Sequence, residues 1–263
     1  MTSLVVKIGG HALDSLRPGS DAIATFASDI NDLRAAHVTV VVVHGGGPQI
    51  ETLLERVGLA SRFENGLRIT DEETMAYVAM ALGEVNCRLV AAFNKAGLVA
   101  AGANGVDASM LHATAMGPPW GRAGSSPTVD VTLITTLWAA GITPVVTSIA
   151  ADEYGHLVNC NADTAAGALA GALGASTLVL LSDVAQLRAD PNDEGSALAR
   201  VNSEEVRGLL ESGAARDGMR PKLAATLDAL DGGAARVLVA SGTNSHALRD
   251  ALRGDAPTTE VRR

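Results

Sequence analysis

The sequence predicts an α/β fold built on a largely parallel sheet. Three observations point there. Short β-branched runs alternate with stretches of helical periodicity. Each run is apolar nearly throughout, as strands covered on both faces are. Two of the runs end in glycine clusters, the kind of junction at which ligands collect along the carboxyl edge of such sheets.

The strand candidates are residues 4–8 (LVVKI), 38–43 (VTVVVV), 144–149 (PVVTSI), 177–182 (TLVLLS) and 236–240 (RVLVA). Between the first two, Ser20 is placed to cap a helix whose Ile23, Phe26, Ile30 and Leu33 fall on one face, completing a βαβ unit with a right-handed crossover. Pro48 opens a second helix, with Ile50, Leu53, Leu54 and Val57 on its apolar face and Gly58 at its end. Thr70 followed by Glu73 has the form of a capping box for a third helix through Met75, Val78 and Leu82. The stretch 115–130, AMGPPWGRAGSSPTVD, reads as a long loop, a lid, or a small hairpin excursion, and RADPNDEGSA from Arg188 as a turn region. Pro221 suits the first turn of a helix carrying Leu223, Leu227 and Leu230, closed by Gly232 and Gly233.

The two glycine junctions carry the chemistry. In VVVHGGGPQI a strand runs through three glycines into a helix start, where unpaired N–H groups and the positive end of the helix dipole make an anion cradle. Taken alone, HGGG reads equally well as a tight turn with no ligand. The first strand also ends in glycines, however, and sets Lys7 one residue before its carboxyl end, so two glycine loops and a lysine would line one crevice. No Walker A loop and no GxGxxG fingerprint occurs. Asn159, Asn161 and Asp163 alternate ahead of a run of small helix formers, which points all three to one side if the segment is extended; helix capping by Asn161 or Asp163 is the competing reading. Arg68 precedes the Thr70 cap, where its fork can hold a carboxylate or simply form a surface salt bridge. Lys222 sits just before a helix, a position usually exposed. His44 adjoins the glycines, but no serine or cysteine nucleophile pairs with it at a recognisable spacing.

Composition narrows the function classes. At 263 residues and 47% hydrophobic, the chain can bury a substantial core. A net charge of −9 and the lack of a Lys/Arg cluster argue against a nucleic-acid partner. The apolar runs are too short to cross a bilayer, and MTSLVVKIGG lacks the features of an export signal, so a cytoplasmic protein without a membrane span is expected. Cys87 and Cys160 make no disulfide framework, and Cys160 reads as a small buried hydrophobe. No spaced His/Cys/Glu set suggests a protein metal site.

Taken in order, VVKIGG, VVVHGGGPQI, NGLRITDEETM, VNCNADTAA, LLSDV and DGMRPK resemble the amino acid kinase family over almost the whole chain, from Lys7 to Lys222. The resemblance is strongest to members that phosphorylate the γ-carboxylate of N-acetyl-L-glutamate with ATP and Mg²⁺, in arginine or ornithine supply. It implies a three-layer α/β/α sandwich and a homodimer. Residues 1–170 would form a lobe for the acyl amino acid and the dimer contact, and residues 171–263 a lobe for ATP. Carried over by position, Lys7 and Lys222 would neutralise the transferring phosphoryl group and Asp163 would orient them. Gly10, Gly46 and Gly47 would donate backbone N–H bonds, and Arg68, Asn159 and Asn161 would hold substrate. Asp183, Val184, Ala185, Gln186, Leu187 and Arg188, with Ala214, Ala215 and Arg216, would bind the nucleotide.

The chain departs from the family at Ala185 and Gln186, where a glycine is usual after LLSDV, and in the 115–130 excursion, which lacks the usual Gly-x-Val-Gly. With Lys7 so near the start, the chain is expected to lack the extra helix of hexameric, arginine-inhibited members, and no arginine feedback through that element is expected. A kinase for glutamate or α-aminoadipate linked to a carrier protein is the alternative, though such relatives usually replace the third glycine and the NxNAD signature kept here. Aspartate kinase and glutamate 5-kinase would need appended domains. A non-catalytic metabolite sensor would not be expected to keep Lys7, Asp163 and Lys222 together.

Overall fold

The computed structural model describes residues 2–9, 12–13, 16, 19–190, 193–212 and 219–263. In chain order its elements are β1 (Ser3–Ile8), α1 (Asp21–Ala35), β2 (Thr39–His44), α2 (Gly47–Arg56), β3 (Phe63–Glu64), β4 (Leu67–Arg68), α3 (Glu72–Lys95), β5 (Ala100–Ala103), β6 (Leu111–His112), β7 (Ala115–Gly117), β8 (Gly121–Gly124), β9 (Thr128–Val129), α4 (Thr132–Ala139), β10 (Thr143–Thr147), β11 (Ile149–Ala151), β12 (Leu157–Asn159), α5 (Ala162–Ala172), β13 (Thr177–Ser182), β14 (Leu187–Arg188), β15 (Ala197–Leu198), β16 (Arg200–Asn202), α6 (Ser203–Glu211), α7 (Met219–Gly232), β17 (Val237–Ser241), α8 (Ala247–Arg253) and β18 (Thr258–Arg262).

The main sheet runs β16-β18-β17-β13-β1-β2-β10-β5. The six strands from β17 to β5 are parallel, while β18 meets β17 antiparallel and carries β16 alongside it. Alternate residues of the central strands feed two cores. Leu4, Val6 and Ile8 pack with Phe26 and Ile30 of α1, Leu89 and Phe93 of α3 and Leu248 of α8. Val5 and Val43 pack on the other face with Ile134 of α4, Ala166 and Leu169 of α5, Val206 of α6 and Leu223 of α7. Helices therefore cover both faces, which is the three-layer α/β/α sandwich expected from the resemblance.

Local chemistry explains most element boundaries. The Ser20 hydroxyl accepts from the Ile23 N–H at 3.3 Å and caps α1. Pro48 lies in the first turn of α2, and Gly58 follows that helix at φ +77°, a left-handed position that glycine takes without strain. α3 is 24 residues long and apolar enough to cross a membrane by length and composition alone. Here it is a core helix, burying Met75, Val78, Leu82, Val85, Leu89 and Phe93.

Two expectations are corrected. The cap of α3 is Asp71, not Thr70: the Asp71 carboxylate accepts from the Thr74 N–H at 2.7 Å, a bond that, with its charge exposed, holds its pKa below the ordinary value. Thr70 is drawn away because its hydroxyl is buried between the Arg68 carbonyl and Asn159. The run 144–149 is two strands, since after Thr147 the chain leaves the main sheet and β11 pairs with β12. Of the readings open for 115–130, the hairpin is the one observed: β7 and β8 pair antiparallel, and β9 follows, in a second sheet ordered β7-β8-β12-β11-β6-β9.

Candidate functional site

Parallel register brings the carboxyl ends of the central strands level. Ile8 lies beside His44 and Leu181, and His44 beside Thr147. Along that edge opens a pocket of about 300 Å³, within the range of small-molecule sites. Lys7, Gly46, Gly47, Arg68, Asn159, Asn161 and Asp163 all line it.

The floor is a buried charge cluster. Lys7 points from β1 toward the face covered by α5 and α7, and its Nζ lies 2.7 Å from Asp163 Oδ1 in the first turn of α5. Lys222 Nζ lies 3.4 Å from the other carboxylate oxygen. The three side chains are only 8%, 6% and 13% exposed. Burial by itself raises a carboxyl pKa; the Lys7 and Lys222 charges and their hydrogen bonds outweigh it and hold Asp163 below the ordinary range. Lys222 is thus neither exposed nor ahead of its helix: α7 begins at Met219, and the side chain turns inward to Asp163. Two ammonium groups fixed by one carboxylate form a preorganised site for concentrated negative charge.

The glycine loop forms the facing wall. Gly46 precedes α2, and a Cβ there would come within 2.8 Å of Leu82 Cδ2, so any side chain at this position would have to displace the end of Leu82 on α3. A Cβ at Gly47 would meet nothing within 4 Å, consistent with its backbone facing the pocket. The first-turn N–H groups of α2 are those a helix leaves without internal partners.

Arg68 ties this loop to the small β3–β4 hairpin. Its guanidinium donates to the Ser61 hydroxyl, reaches the Gly47 carbonyl at 3.3 Å, lies 3.5 Å from Glu51 and stacks 4.5 Å over the Phe63 ring. Burial lowers its pKa, with Glu51 opposing, and it stays a cation at neutral pH. Asn159, at the end of β12, donates to the Thr70 hydroxyl at 3.1 Å. Asn161 caps α5, accepting from the Asp163 and Thr164 N–H groups at 2.8 and 3.2 Å, so the extended alternation of Asn159, Asn161 and Asp163 stops at the helix start.

His44 is fully buried, and that burial pushes its pKa down to about 4 despite a backbone bond to Gly45. Its Nδ1 lies 2.8 Å from the Gly45 carbonyl and its Nε2 3.0 Å from the Asn86 amide nitrogen, which assigns the proton to Nδ1. It is a neutral tie between β2 and α3. Cys160 is buried as expected, its thiol pushed up to about 12.

The segment from Asp183 to Arg188 continues from the carboxyl end of β13, beside the pocket rather than in it. Asp183 and Val184 are exposed, and the Ser182 hydroxyl accepts from the Val184 N–H at 3.3 Å. Gln186, in place of the usual glycine environment, donates from Nε2 to the Thr258 carbonyl at 2.9 Å, while the Leu187 N–H reaches the Thr259 hydroxyl. Gly10, Ala214, Ala215 and Arg216 lie outside the described residues. Among the pocket residues that sequence reasoning missed are Phe63, Gly66 and Leu67 of the β3–β4 wall. Their signal was present: Asn65 and Gly66 both take positive φ, 52° and 78°, the two-residue hairpin turn that Asn-Gly favours.

Comparison with known proteins agrees with this geometry. The chain is 42% identical over 258 residues to the acetylglutamate kinase of Deinococcus radiodurans, covering 98% of this chain and 100% of that protein. It is 39% identical over 261 residues to the acetylglutamate kinase of Geobacillus kaustophilus, covering 98% and 97%. The crystal structure of smu.665 from Streptococcus mutans superposes with a TM-score of 0.79 at 26% identity, over 90% of this chain and 94% of that one. The model of the amino acid kinase family matches residues 2–241, so the crevice, the sandwich and nearly the full length point the same way: this chain belongs to the amino acid kinase family.

Proposed function

We propose that this chain transfers the γ-phosphoryl group of ATP to the γ-carboxylate of N-acetyl-L-glutamate, giving ADP and N-acetyl-γ-glutamyl phosphate, as an acetylglutamate kinase in arginine or ornithine biosynthesis. The observation that carries the reaction is the buried Lys7–Asp163–Lys222 cluster at the carboxyl edge of the sheet, facing the glycine loop. The acceptor follows from the names of relatives about 40% identical over nearly the full length.

The acceptor carboxylate is ionised at neutral pH and needs no general base. This agrees with a His44 held neutral and engaged on both ring nitrogens. Phosphoryl transfer calls for in-line positioning and for neutralisation of charge on the equatorial oxygens. Lys7 and Lys222 supply the positive charge, and Asp163 fixes where both ammonium groups sit. Gly10, Gly46 and Gly47 donate backbone N–H groups to the same oxygens, while Arg68, Asn159 and Asn161 hold the acyl amino acid. Residues 183–188 and 214–216 receive the nucleotide. Asp163 is already engaged by two lysines; Mg²⁺ would be held mainly by the nucleotide phosphates, where it would supply further charge neutralisation.

On this reading residues 1–170 are the acyl amino acid lobe and residues 171–263 the ATP lobe of a cytoplasmic homodimer. Hydroxylamine trapping with ATP and Mg²⁺ tests the reaction against N-acetyl-L-glutamate, free glutamate, aspartate and N-acetyl-aminoadipate. Hydroxamate from N-acetyl-L-glutamate alone is expected. None from any of the four would sink the proposal in favour of a carrier-bound acceptor or a sensor.

A further inference from the structure

The β3–β4 hairpin is a wall of the pocket that cannot hold its own position. Each strand has two residues, and the pair belongs to neither of the larger sheets. Isolated two-stranded hairpins are marginal in water even when longer. Phe63 remains 53% exposed, so packing does not pin it down. Yet the hairpin contributes Phe63, Gly66, Leu67 and Arg68 to the pocket, and Arg68 is its buried cation.

What reaches across to it is the β7–β8 turn. The Trp120 indole N–H donates to the Glu64 carbonyl at 3.2 Å, holding β3. The Trp120 carbonyl accepts from the Thr70 N–H at 3.0 Å, and the Thr70 carbonyl accepts from the Arg122 N–H at 2.6 Å, holding the chain just after β4. Gly121 takes φ +64°, and a Cβ there would lie 2.4 Å from the Thr70 carbonyl, so this approach requires glycine. The far side of the turn is anchored in turn: Arg122 pairs with Asp152 at 2.9 Å, and Ala123 lies in register with Asn159. One side chain and its own carbonyl thereby hold β3 and the chain just after β4.

We infer that Trp120 is a positioning residue for the acyl amino acid: it props the β3–β4 wall against the β7–β8 turn and so fixes Arg68 and Phe63 for the bound substrate. The inference rests on the reading of this pocket as the acyl amino acid site. Among the described residues, the hydrogen bonds of Trp120 run to Glu64, Thr70 and Ala123, and none reaches Lys7, Asp163 or Lys222. Its loss therefore acts on acceptor binding and leaves the chemical step alone.

Trp120→Phe keeps an aromatic ring and deletes the donor. Two readouts decide. Amide hydrogen exchange at residues 63–68, measured without ligand, is expected to speed up in the variant by about three- to tenfold, the size of one neutral hydrogen bond. The KM for N-acetyl-L-glutamate is expected to rise by a similar factor, with kcat and the KM for ATP within about twofold. Trp138→Phe is the control, because Trp138 also donates to a backbone carbonyl, that of Val40 at 2.8 Å, but away from the pocket; its acceptor KM should stay at the wild-type value. Unchanged exchange at 63–68, or losses in kcat and both Michaelis constants that track a fall in melting temperature, overturns the inference. If the wild-type protein forms no hydroxamate, the functional reading falls by itself, and the exchange comparison still decides whether Trp120 holds the hairpin.

Discussion

Asp163 has almost no water around it and an ammonium group against each oxygen. Removing one partner of such a cluster leaves the rest poorly compensated, and the choice of partner separates binding from chemistry. Lys222→Ala leaves the shorter Lys7–Asp163 contact intact. We expect it to cut kcat by at least about a hundredfold, as loss of a transition-state charge does, while the KM for ATP changes by less than about threefold. Steady-state kinetics checks this; parallel losses in kcat and ATP affinity would remove Lys222 from the transition state. The local sequence around Lys222 did not show its inward turn; only the family resemblance set it beside Asp163. A lysine near a helix start looks the same whether it faces solvent or a carboxylate from another helix. Asn161 was more legible, since a polar residue ahead of small helix formers is a cap wherever the helix docks.

α5 and α7 carry Asp163 and Lys222 at their N-terminal ends, so their crossing sets the spacing of the charges. The crossing is a backbone contact. A Cβ at Gly167 would lie 2.4 Å from the Ala225 carbonyl oxygen, and one at Gly171 would lie 2.9 Å from the Gly232 Cα. Gly167 is one turn from Asp163, whereas Gly171 lies at the far end. Both Gly167→Ala and Gly171→Ala should destabilise by about 1–3 kcal/mol, the usual cost of overpacking. Only Gly167→Ala should also lower kcat, by about tenfold or more, with the KM for N-acetyl-L-glutamate little changed. Melting temperatures and kinetics of the pair check this, and equal kcat values would detach the crossing from catalysis. Elements of this length were readable from periodicity and punctuation: Ser20, Pro48, Gly58, Pro221 and Gly233 fall where the helices begin and end. The short strands of the second sheet were mostly not, because two or three residues carry no period, and their place in the sheet is set by distant neighbours, as β6 is for β11 and β8 for β12.

The whole sandwich hangs on β1 and β2, and His44 joins β2 to the long core helix through Asn86. Because the folded protein holds His44 neutral down to about pH 4, while the unfolded chain takes up a proton near pH 6.5, the unfolded state binds more protons between these values. Global stability should therefore be full above about pH 6.5 and fall by on the order of 3 kcal/mol from this group as pH drops to 4. Denaturant unfolding across that range checks it. In His44→Gln, uncharged throughout, stability should be lower at pH 7 but fall less steeply; an equally steep fall would exonerate His44. The strand runs, the helix faces and both glycine junctions follow from the sequence, since each depends on residues within a few positions of one another. The α/β class, the glycine-lined edge and the family were accordingly written in the chain. Which side chains meet at that edge was decided by packing. Parallel register levels the ends of β1 and β2, two helices crossing on glycine bring Asp163 and Lys222 to Lys7, and a tryptophan from the second sheet steadies the wall that holds Arg68. These contacts join segments far apart in sequence, and no local pattern encodes the geometry of a long-range contact.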